Sequence, residues 1–392
     1  MKNSRRQAAF VFARFLATKE YPQNLLPDGP ERAFVQDLVY TAIRRMRPLR
    51  KVLGELVRQW PKGELEALLY IGAAQLLYMD DVPDFAAVNE TVEAAKSSAN
   101  PSVARVVNGV LRNLVRRRDE FLAALASSPL EERESFPTAL VRRWRERFGE
   151  ENAARLCAWH NQPAETFLAR RDGTFVALER GTSVAEVPGY AAGEFIVQDP
   201  ATARAVALLA PASGERVLDA CAAPGGKAIQ LAWRGAAVTA CEVNPRRRHR
   251  LEENLVRVGL RDAVRVADSL DALRTGGERF DKVLVDAPCS NTGVLRRRPD
   301  ARWNWSEEKL ASLVRLQAEI LDQAAALVAP GGVLVYSTCS NEREENDGQV
   351  AAFLERHAGW KLEETTESFP FETKTDGAFA ARLRTAVAAA ET

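Results

Sequence analysis

The stretch from Arg216 to Lys227, RVLDACAAPGGK, joins a short apolar run to a loop that contains two adjacent glycines. More apolar runs follow it along the chain, and helical stretches separate them. Five such runs end at or beside an acidic residue or a thiol: RVLDA, AVTACE, AVRVAD, KVLVDAP and GVLVYSTC. This alternation of short strands with helices predicts a doubly wound parallel sheet.

The ends of these runs carry the candidate functional groups. In an open parallel sheet, ligands bind outside the carboxyl ends of the strands, so the groups at those ends should line one crevice. Two of the groups are thiols, which lie fifty residues apart in the chain. They suggest covalent chemistry by one thiol and a second role for the other. The groups concerned are Asp219, Glu242, Asp268, Asp286, Cys289 and Cys339.

The loop from Ala223 to Lys227 predicts a cosubstrate site. Its glycines allow a ligand to approach the backbone, and a helix that begins near Ala228 would offer free N–H groups. Glu242 could accept hydrogen bonds from ribose hydroxyls, and Asp268 could accept one from an adenine amino group. Each acid could instead cap a helix. Together with the glycine loop they favour an adenosine-type ligand.

The N-terminal third is predicted to be helical throughout. In the stretch from Val103 to Leu114, apolar residues recur at the spacing of one buried helical face: Val103, Val106, Val107, Val110, Leu111 and Leu114. Residues 1–125 are therefore predicted to form a compact helical bundle. Residues 126–165 are expected to form a helical connector, and mixed structure is expected over residues 166–392.

Charge and composition indicate the kind of partner. The net charge is only +1, but arginine clusters occur within residues 44–47, 116–118, 142–145, 246–250 and 296–298. Any one cluster could be a solvated helix face, whereas five favour a polyanion such as RNA. No apolar run approaches the ~20 residues of a membrane span. Five cysteines without a CxxC pair and three histidines predict neither a disulfide framework nor a metal site. A cytoplasmic protein is expected.

Several motifs are similar to those of a known family. DACAAPGGK, DAPCSNTGVLRRRPD, YSTCSNEREEN and DGAFAARLR look like the motifs of the Sun/RsmB family of RNA cytosine-5 methyltransferases, which use S-adenosylmethionine. RAFVQDLVYTAIRR, LLYIGAAQLLYMDDVP, AVNETVEAAK and VNGVLRN resemble the NusB-like RNA-binding domain. The resemblance implies an all-α NusB-like bundle followed by an α/β Rossmann-like methyltransferase domain, whose residues 166–195 would contact RNA.

The resemblance also implies roles for the thiols. A thiolate that adds to cytosine C6 makes C5 nucleophilic, yet a free cysteine has a pKa of about 8.5 and needs activation. Spacing alone does not identify the attacking thiol. By resemblance, Cys339 is the nucleophile, Cys289 assists product release and Asp286 positions the base. Lys227 either activates the thiol or orients ligands. S-adenosylmethionine would bind at Cys221, Ala222, Ala223, Pro224, Gly225, Gly226, Lys227, Glu242, Asp268 and Asp286.

The expected function is therefore the formation of 5-methylcytosine in 16S rRNA, either free or in an early small-subunit assembly intermediate, by a monomer. Two alternatives remain open: an RNA-binding assembly factor with a vestigial transferase domain, and the same chemistry on a different RNA. Arg296 to Arg298 and Arg302 are expected to contact RNA, with Trp303 and Trp305 nearby for stacking. Either tryptophan could equally be a core anchor.

Overall fold

The computed structural model describes residues 3–97, 100, 102–179 and 181–386. The chain divides into two units. The helical unit comprises Met1–Gln162 and Leu295–Asn304, and the α/β unit comprises Pro163–Val294 and Trp305–Thr392. The outer limits of the expected domains, residues 1 and 392, lie outside the described residues.

The helices, in chain order, are α1 (Ser4–Thr18), α2 (Arg32–Arg44), α3 (Met46–Leu56), α4 (Glu64–Tyr78), α5 (Asp84–Lys96), α6 (Ser102–Arg116), α7 (Arg118–Ala126), α8 (Leu130–Arg133), α9 (Thr138–Asn161), α10 (Ala203–Leu209), α11 (Gly226–Trp233), α12 (Pro245–Arg257), α13 (Leu270–Thr275), α14 (Ala301–Asn304), α15 (Glu307–Ala325), α16 (Asp347–Arg356) and α17 (Pro370–Thr373). The strands are β1 (Thr166–Arg170), β2 (Phe175–Leu178), β3 (Phe195–Val197), β4 (Arg216–Asp219), β5 (Ala237–Cys241), β6 (Arg265–Ala267), β7 (Phe280–Asp286), β8 (Val328–Thr338), β9 (Trp360–Ser368) and β10 (Ala378–Thr385).

The helical unit is built around α4. This helix is apolar on almost every side and is buried from Ala67 to Leu76, as expected for a helix that other helices surround. It contacts α1, α2, α3, α5 and α6. The predicted bundle is thus present, with one correction on α6: Val106 is 40% exposed. At 100° per residue, Val106 lies at the edge of the stripe that the other apolar residues of α6 form, so the periodicity overstated its burial.

The α/β unit contains a seven-stranded sheet in the order β6-β5-β4-β7-β8-β10-β9. The strands from β6 to β8 are mutually parallel, and β10 pairs antiparallel with both β8 and β9. The five sequence runs form the parallel part, which confirms the predicted doubly wound sheet. A separate three-stranded sheet, β2-β1-β3, precedes it in the chain.

Helices cover both faces of the central parallel strands because β4 and β7 are apolar on both sides. Val217 and Leu284 pack in the same core as α10, α11 and α12. Their neighbours Leu218 and Val283 pack in the core with α13, α15 and α16. Such two-sided burial is typical of parallel strands. Within the described residues, no helix is long and apolar enough to cross a membrane.

Candidate functional site

The site lies at the switch point of the sheet, between β4 and β7. From β4 the chain proceeds through β5 and β6 in one direction, and it then returns to add β7 and β8 on the other side. A crevice forms at such a point, beyond the carboxyl ends of the strands. The predicted groups at the ends of β4, β7 and β8 therefore share one edge of the sheet.

The loop after β4 comes close to neighbouring side chains. Gly225 has a φ of 112°, a left-handed conformation that favours glycine, and a Cβ added there would lie 2.9 Å from Leu251 Cδ1. Arg247 Nη2 donates to the Ala223 carbonyl at 3.1 Å, and Asn254 Nδ2 donates to the Pro224 carbonyl at 2.9 Å. Helix α11 begins directly after this loop.

Lys227 and Asp286 form the central ion pair of the site. Lys227 Nζ lies 2.5 Å from Asp286 Oδ2, and Ser337 Oγ donates to Asp286 Oδ1 at 2.9 Å. Burial alone would lower the pKa of Lys227, but Asp286 outweighs it and the pKa is raised. Lys227 is therefore an ammonium ion at neutral pH. Ser337 was not predicted, although the register that places it opposite Asp286 follows from strand alternation.

Asp219, the last residue of β4, is only 1% exposed. Neither of its carboxylate oxygens has a side-chain hydrogen-bond partner within the part of the chain that the structure describes. Burial, and secondly the charge of Asp286, raise the pKa of Asp219 to about 7. A buried carboxylate without a side-chain partner is costly, so its place beside the glycine loop is suited to a cationic ligand.

The two acids predicted to hold an adenosine lie near β5 and β6. Glu242 is buried; it accepts a hydrogen bond from the Asn244 N–H at 2.9 Å and lies 3.5 Å from Arg247 Nη2. Asp268 lines a polar pocket together with Arg248 and Ser269. The two carboxylates thus follow the ends of neighbouring strands, Glu242 after β5 and Asp268 after β6.

The two predicted thiols are in contact. Cys289 Sγ and Cys339 Sγ lie 3.2 Å apart. The hydrogen bond to Cys339, followed by burial, raises the pKa of Cys289 well above its usual value. Cys289 is buried, whereas Cys339 is half-buried. The remaining site cysteine of the sequence prediction, Cys221, is half-buried, and its pKa is raised by burial.

Two residues that the sequence reasoning missed hold the thiol loops in place. Asn291 Oδ1 accepts a hydrogen bond from Cys339 Sγ at 3.3 Å, and Asn291 Nδ2 donates to the Cys289 carbonyl at 2.9 Å. Glu345 is fully buried. Its carboxylate accepts from the Ser290 N–H at 2.8 Å, from Ser290 Oγ at 2.5 Å and from Gln317 Nε2 at 2.9 Å. No signal in the sequence brings these groups together, because their contacts span different loops.

The DGAF motif packs against the Cys289 loop. The Gly377 N–H donates to the Gly293 carbonyl at 2.8 Å. A Cβ on Gly293 would lie 2.7 Å from the Gly377 carbonyl and 2.8 Å from the Cys339 carbonyl. Three chain segments therefore meet where only glycine fits.

The prediction that Arg296 and Arg302 contact RNA is wrong. Both side chains are buried in the helical unit. Arg302 donates to the carbonyl oxygens of Arg44, Ser135 and His160 and to Asn161 Oδ1, and its guanidinium lies over the Phe136 ring. These acceptors, which end or join helices, would otherwise lack donors.

Two neighbouring residues, Arg298 and Trp303, also make structural contacts. Arg298 pairs with Asp300 and lies over the Tyr21 ring. The Trp303 indole N–H donates to the Ile43 carbonyl at 2.9 Å, so Trp303 is an anchor. Arg297 and Trp305 are half-buried. Of the predicted clusters, Arg246 to Arg250 on α12 is the more accessible one: Arg246, Arg247, His249 and Arg250 are exposed.

Comparisons with known proteins bear on both units. A family model described as 16S rRNA methyltransferase RsmB/F matches residues 206–384, and the NusB family model matches residues 2–116. Ribosomal RNA small subunit methyltransferase B of Salmonella arizonae is 34% identical to this chain over an alignment of 424 positions. The alignment covers 97% of this chain and 98% of that protein.

Solved structures confirm the fold class. The crystal structure of PH0851 superposes with a TM-score of 0.78 at 24% sequence identity. The superposition covers 98% of this chain and 99% of the PH0851 chain. NSun6 from Pyrococcus horikoshii has a TM-score of 0.56 at 20% identity and covers 64% of this chain and 98% of its own. The predicted helical NusB-like region followed by a Rossmann-like α/β region is therefore correct.

Proposed function

This chain belongs to the RsmB/F family of 16S rRNA methyltransferases, and from that premise we propose that it forms 5-methylcytosine in 16S rRNA with S-adenosylmethionine as methyl donor. The observation that carries the proposal is the pair of thiols, 3.2 Å apart, on the loops that follow β7 and β8. The Lys227–Asp286 ion pair lies at the same end of the sheet. The helical unit, whose sequence matches the NusB family, is proposed to bind the RNA, and the cytoplasm is the expected location.

The residues around the glycine loop fit the methyl donor. Gly225 has a left-handed φ of 112° that shapes the loop, and the buried Asp219 carboxylate, which has no side-chain hydrogen-bond partner among the described residues, suits a ligand that carries positive charge. Glu242 would hold the ribose hydroxyls and Asp268 the adenine amino group, while residues Cys221 to Lys227 would surround the remainder. When bound, S-adenosylmethionine supplies an electrophilic methyl group on a sulfonium.

The thiols divide the remaining chemistry. Cys339, the more accessible of the two, would attack cytosine C6 as a thiolate. That addition interrupts the aromatic system of the base and makes C5 nucleophilic, so that C5 takes the methyl group. Loss of the C5 proton then allows the bond between C6 and Cys339 sulfur to break. The raised pKa of Cys289 keeps it a thiol at neutral pH, beside the adduct whose release it would assist.

Lys227 and Asp286 would act on the base and on the nucleophile. Asp286 is fixed from two sides, by Lys227 and by Ser337, and would accept from the exocyclic amine of cytosine near N3. The Lys227 ammonium also interacts electrostatically with Cys339. A cation near a cysteine favours the thiolate over the thiol. Lys227 is therefore proposed both to orient Asp286 and to stabilise the attacking thiolate.

The test is methyl transfer to unmodified 16S rRNA, free and in small-subunit assembly intermediates, with labelled S-adenosylmethionine. Wild-type protein should label cytosine C5, and Cys339→Ala should abolish labelling. Cys289→Ala should accumulate an RNA–protein adduct that survives denaturation. Cys157→Ala, which removes a buried thiol of the helical unit, serves as the matched control and should retain labelling.

Three other outcomes would redirect the proposal. Labelling of another RNA, but not of 16S rRNA, would keep the chemistry and change the substrate. Binding of RNA without methyl transfer would favour an assembly factor with an inactive transferase. Loss of labelling in Cys289→Ala together with adduct formation in Cys339→Ala would reverse the two thiol roles.

A further inference from the structure

One carboxamide links the two cysteine loops. Asn291 lies two residues after Cys289 and has a φ of 60°. Its Nδ2 donates to the Cys289 carbonyl at 2.9 Å within its own loop, and its Oδ1 accepts from Cys339 Sγ at 3.3 Å on the other loop. The side chain therefore touches the sulfur that the proposed reaction uses as nucleophile.

We propose that Asn291 is a catalytic residue whose carboxamide contacts the Cys339 sulfur in both of its protonation states. Oδ1 accepts from the thiol before reaction, and after rotation of the amide Nδ2 donates to the thiolate. The inference rests on the proposed function only in taking Cys339 as the attacking thiol. It involves the transfer of one proton from the half-buried Cys339 thiol to solvent water and no covalent change in Asn291.

The chemistry of the two states favours this exchange. A thiolate has no hydrogen to donate, so Oδ1 and the ionised sulfur of Cys339 would face each other as two acceptors. A carboxamide carries an acceptor and two donor hydrogens on adjacent atoms, and the terminal torsion of asparagine is broad and roughly two-fold. Half a turn therefore replaces an unfavourable contact by a charge-assisted hydrogen bond.

The same rotation would release the Cys289 loop. In the resting geometry Nδ2 donates to the Cys289 carbonyl. After the rotation Nδ2 points to the Cys339 thiolate, and it no longer donates to that carbonyl. The rotation also turns Oδ1 toward the Cys289 carbonyl, where two acceptors repel each other, so ionisation of Cys339 removes one hydrogen bond from the loop that carries the second thiol. Cys289 would then gain freedom at the stage when the base enters.

A simpler role for Asn291 is to form the turn. Asparagine tolerates left-handed backbone better than most residues do, and the Val294 N–H donates to the Asn291 carbonyl at 3.1 Å to close a turn. Glycine adopts that conformation at least as readily, and aspartate is also tolerated there. If the turn were the only role, Asn291→Gly would leave the reactivity of Cys339 unchanged, and Asn291→Asp would slow it only through its added charge.

The experiment measures alkylation of Cys339 by iodoacetamide in Asn291→Gly and Asn291→Asp. Mass spectrometry of the Cys339 peptide gives the rate in the absence of RNA and methyl donor. Asn291→Asp should slow alkylation at neutral pH by about tenfold or more and displace the pH–rate profile to higher pH, because a like charge within ~4 to 6 Å disfavours the ionised form. Asn291→Gly should slow alkylation by about threefold. It removes both the Nδ2 donor to the thiolate and the Oδ1 acceptor of the thiol, and a hydrogen bond to a charged group contributes more than one to a neutral group.

Asn108→Asp, which introduces the same charge on α6, is the matched control and should alkylate as wild type does. Wild-type rates and pH profiles in both Asn291 variants would overturn the proposal. If Asn291→Asp does not fold, as its melting curve would show, a wild-type rate in Asn291→Gly would suffice to do so. Failure of the proposed function appears separately, as absence of methyl transfer by the wild type.

Discussion

At the scale of single residues, the Asp219 carboxyl predicts a pH dependence of stability. Its pKa is raised from 3.8 to about 7, chiefly by burial, so the folded protein holds this proton more tightly than the unfolded chain does. The associated stability is complete below pH 3.8 and is lost as the pH rises to about 7. Asp219→Asn removes the titration. The unfolding free energy of the variant relative to wild type should increase by up to about 4 kcal/mol over that range.

Urea unfolding at several pH values, without ligand, measures this difference. Asp262→Asn, at an exposed aspartate of the same unit, should show no such trend. A difference between Asp219→Asn and wild type that stays constant from acid to neutral pH would mean that folding does not change the pKa of Asp219.

Prediction from sequence succeeded for residues whose position follows from the strand pattern. Asp286 and Cys339 stand at strand ends, and an open parallel sheet brings such ends to one edge. Asn291 and Glu345 could not be found in this way, since their partners depend on how two loops fold toward each other. The prediction that Arg296 and Arg302 contact RNA failed because a cluster of arginines shows only that hydrogen-bond acceptors must lie nearby. It does not say whether phosphates or buried carbonyl groups supply them.

At the scale of elements, α12 carries cations where its own dipole disfavours them. Asn244 caps the helix by accepting from the N–H groups of Arg246 and Arg247, and no acid lies in the first turn. Each cation at a helix N-terminus costs about 0.3 to 1 kcal/mol. An exposed cluster placed at such a cost is suited to RNA phosphates.

Arg246→Gln should therefore change stability and RNA affinity in opposite directions. The protein should gain about 0.5 kcal/mol in unfolding free energy. RNA binding should weaken, and its dependence on the logarithm of salt concentration should lose a slope of about one. Arg274→Gln on α13, at an exposed arginine paired with Asp271, should leave that slope unchanged. An unaltered slope in Arg246→Gln would place the RNA elsewhere.

Elements were predictable to the extent that their own residues determine them. The parallel strands β4, β5, β7 and β8 are recognisable as apolar runs because most of their residues are buried, whereas the edge strand β6 is only partly buried. The edge strand β9 was not predicted: its residues are largely exposed, and its pairing with β10 supplies the order that its polar sequence does not. The burial of α6 was predicted except for Val106, which lies at the margin of the stripe.

At the scale of the whole molecule, the segment Leu295–Asn304 should matter for folding and not for RNA contact. Arg302→Ala removes the donor for three backbone carbonyls and leaves a cavity over Phe136. It should lower the unfolding free energy by about 3 kcal/mol or more, while the salt dependence of RNA binding stays as in wild type. Arg105→Ala, on an exposed position of α6, should have little effect on stability. A reduced salt slope in Arg302→Ala at intact stability would restore the RNA role.

The place of Arg302 in the helical unit has a consequence for biosynthesis. Arg302 donates to the carbonyl of Arg44, which precedes it by 258 residues. At a synthesis rate of about 5 to 20 residues per second, that interval lasts on the order of 10 to 50 s. During this time the nascent N-terminal helices lack Arg302, and water must donate to the carbonyls that Arg302 will later bind. The unit that leaves the ribosome first is thus completed only after the strands from β4 to β7 have been made.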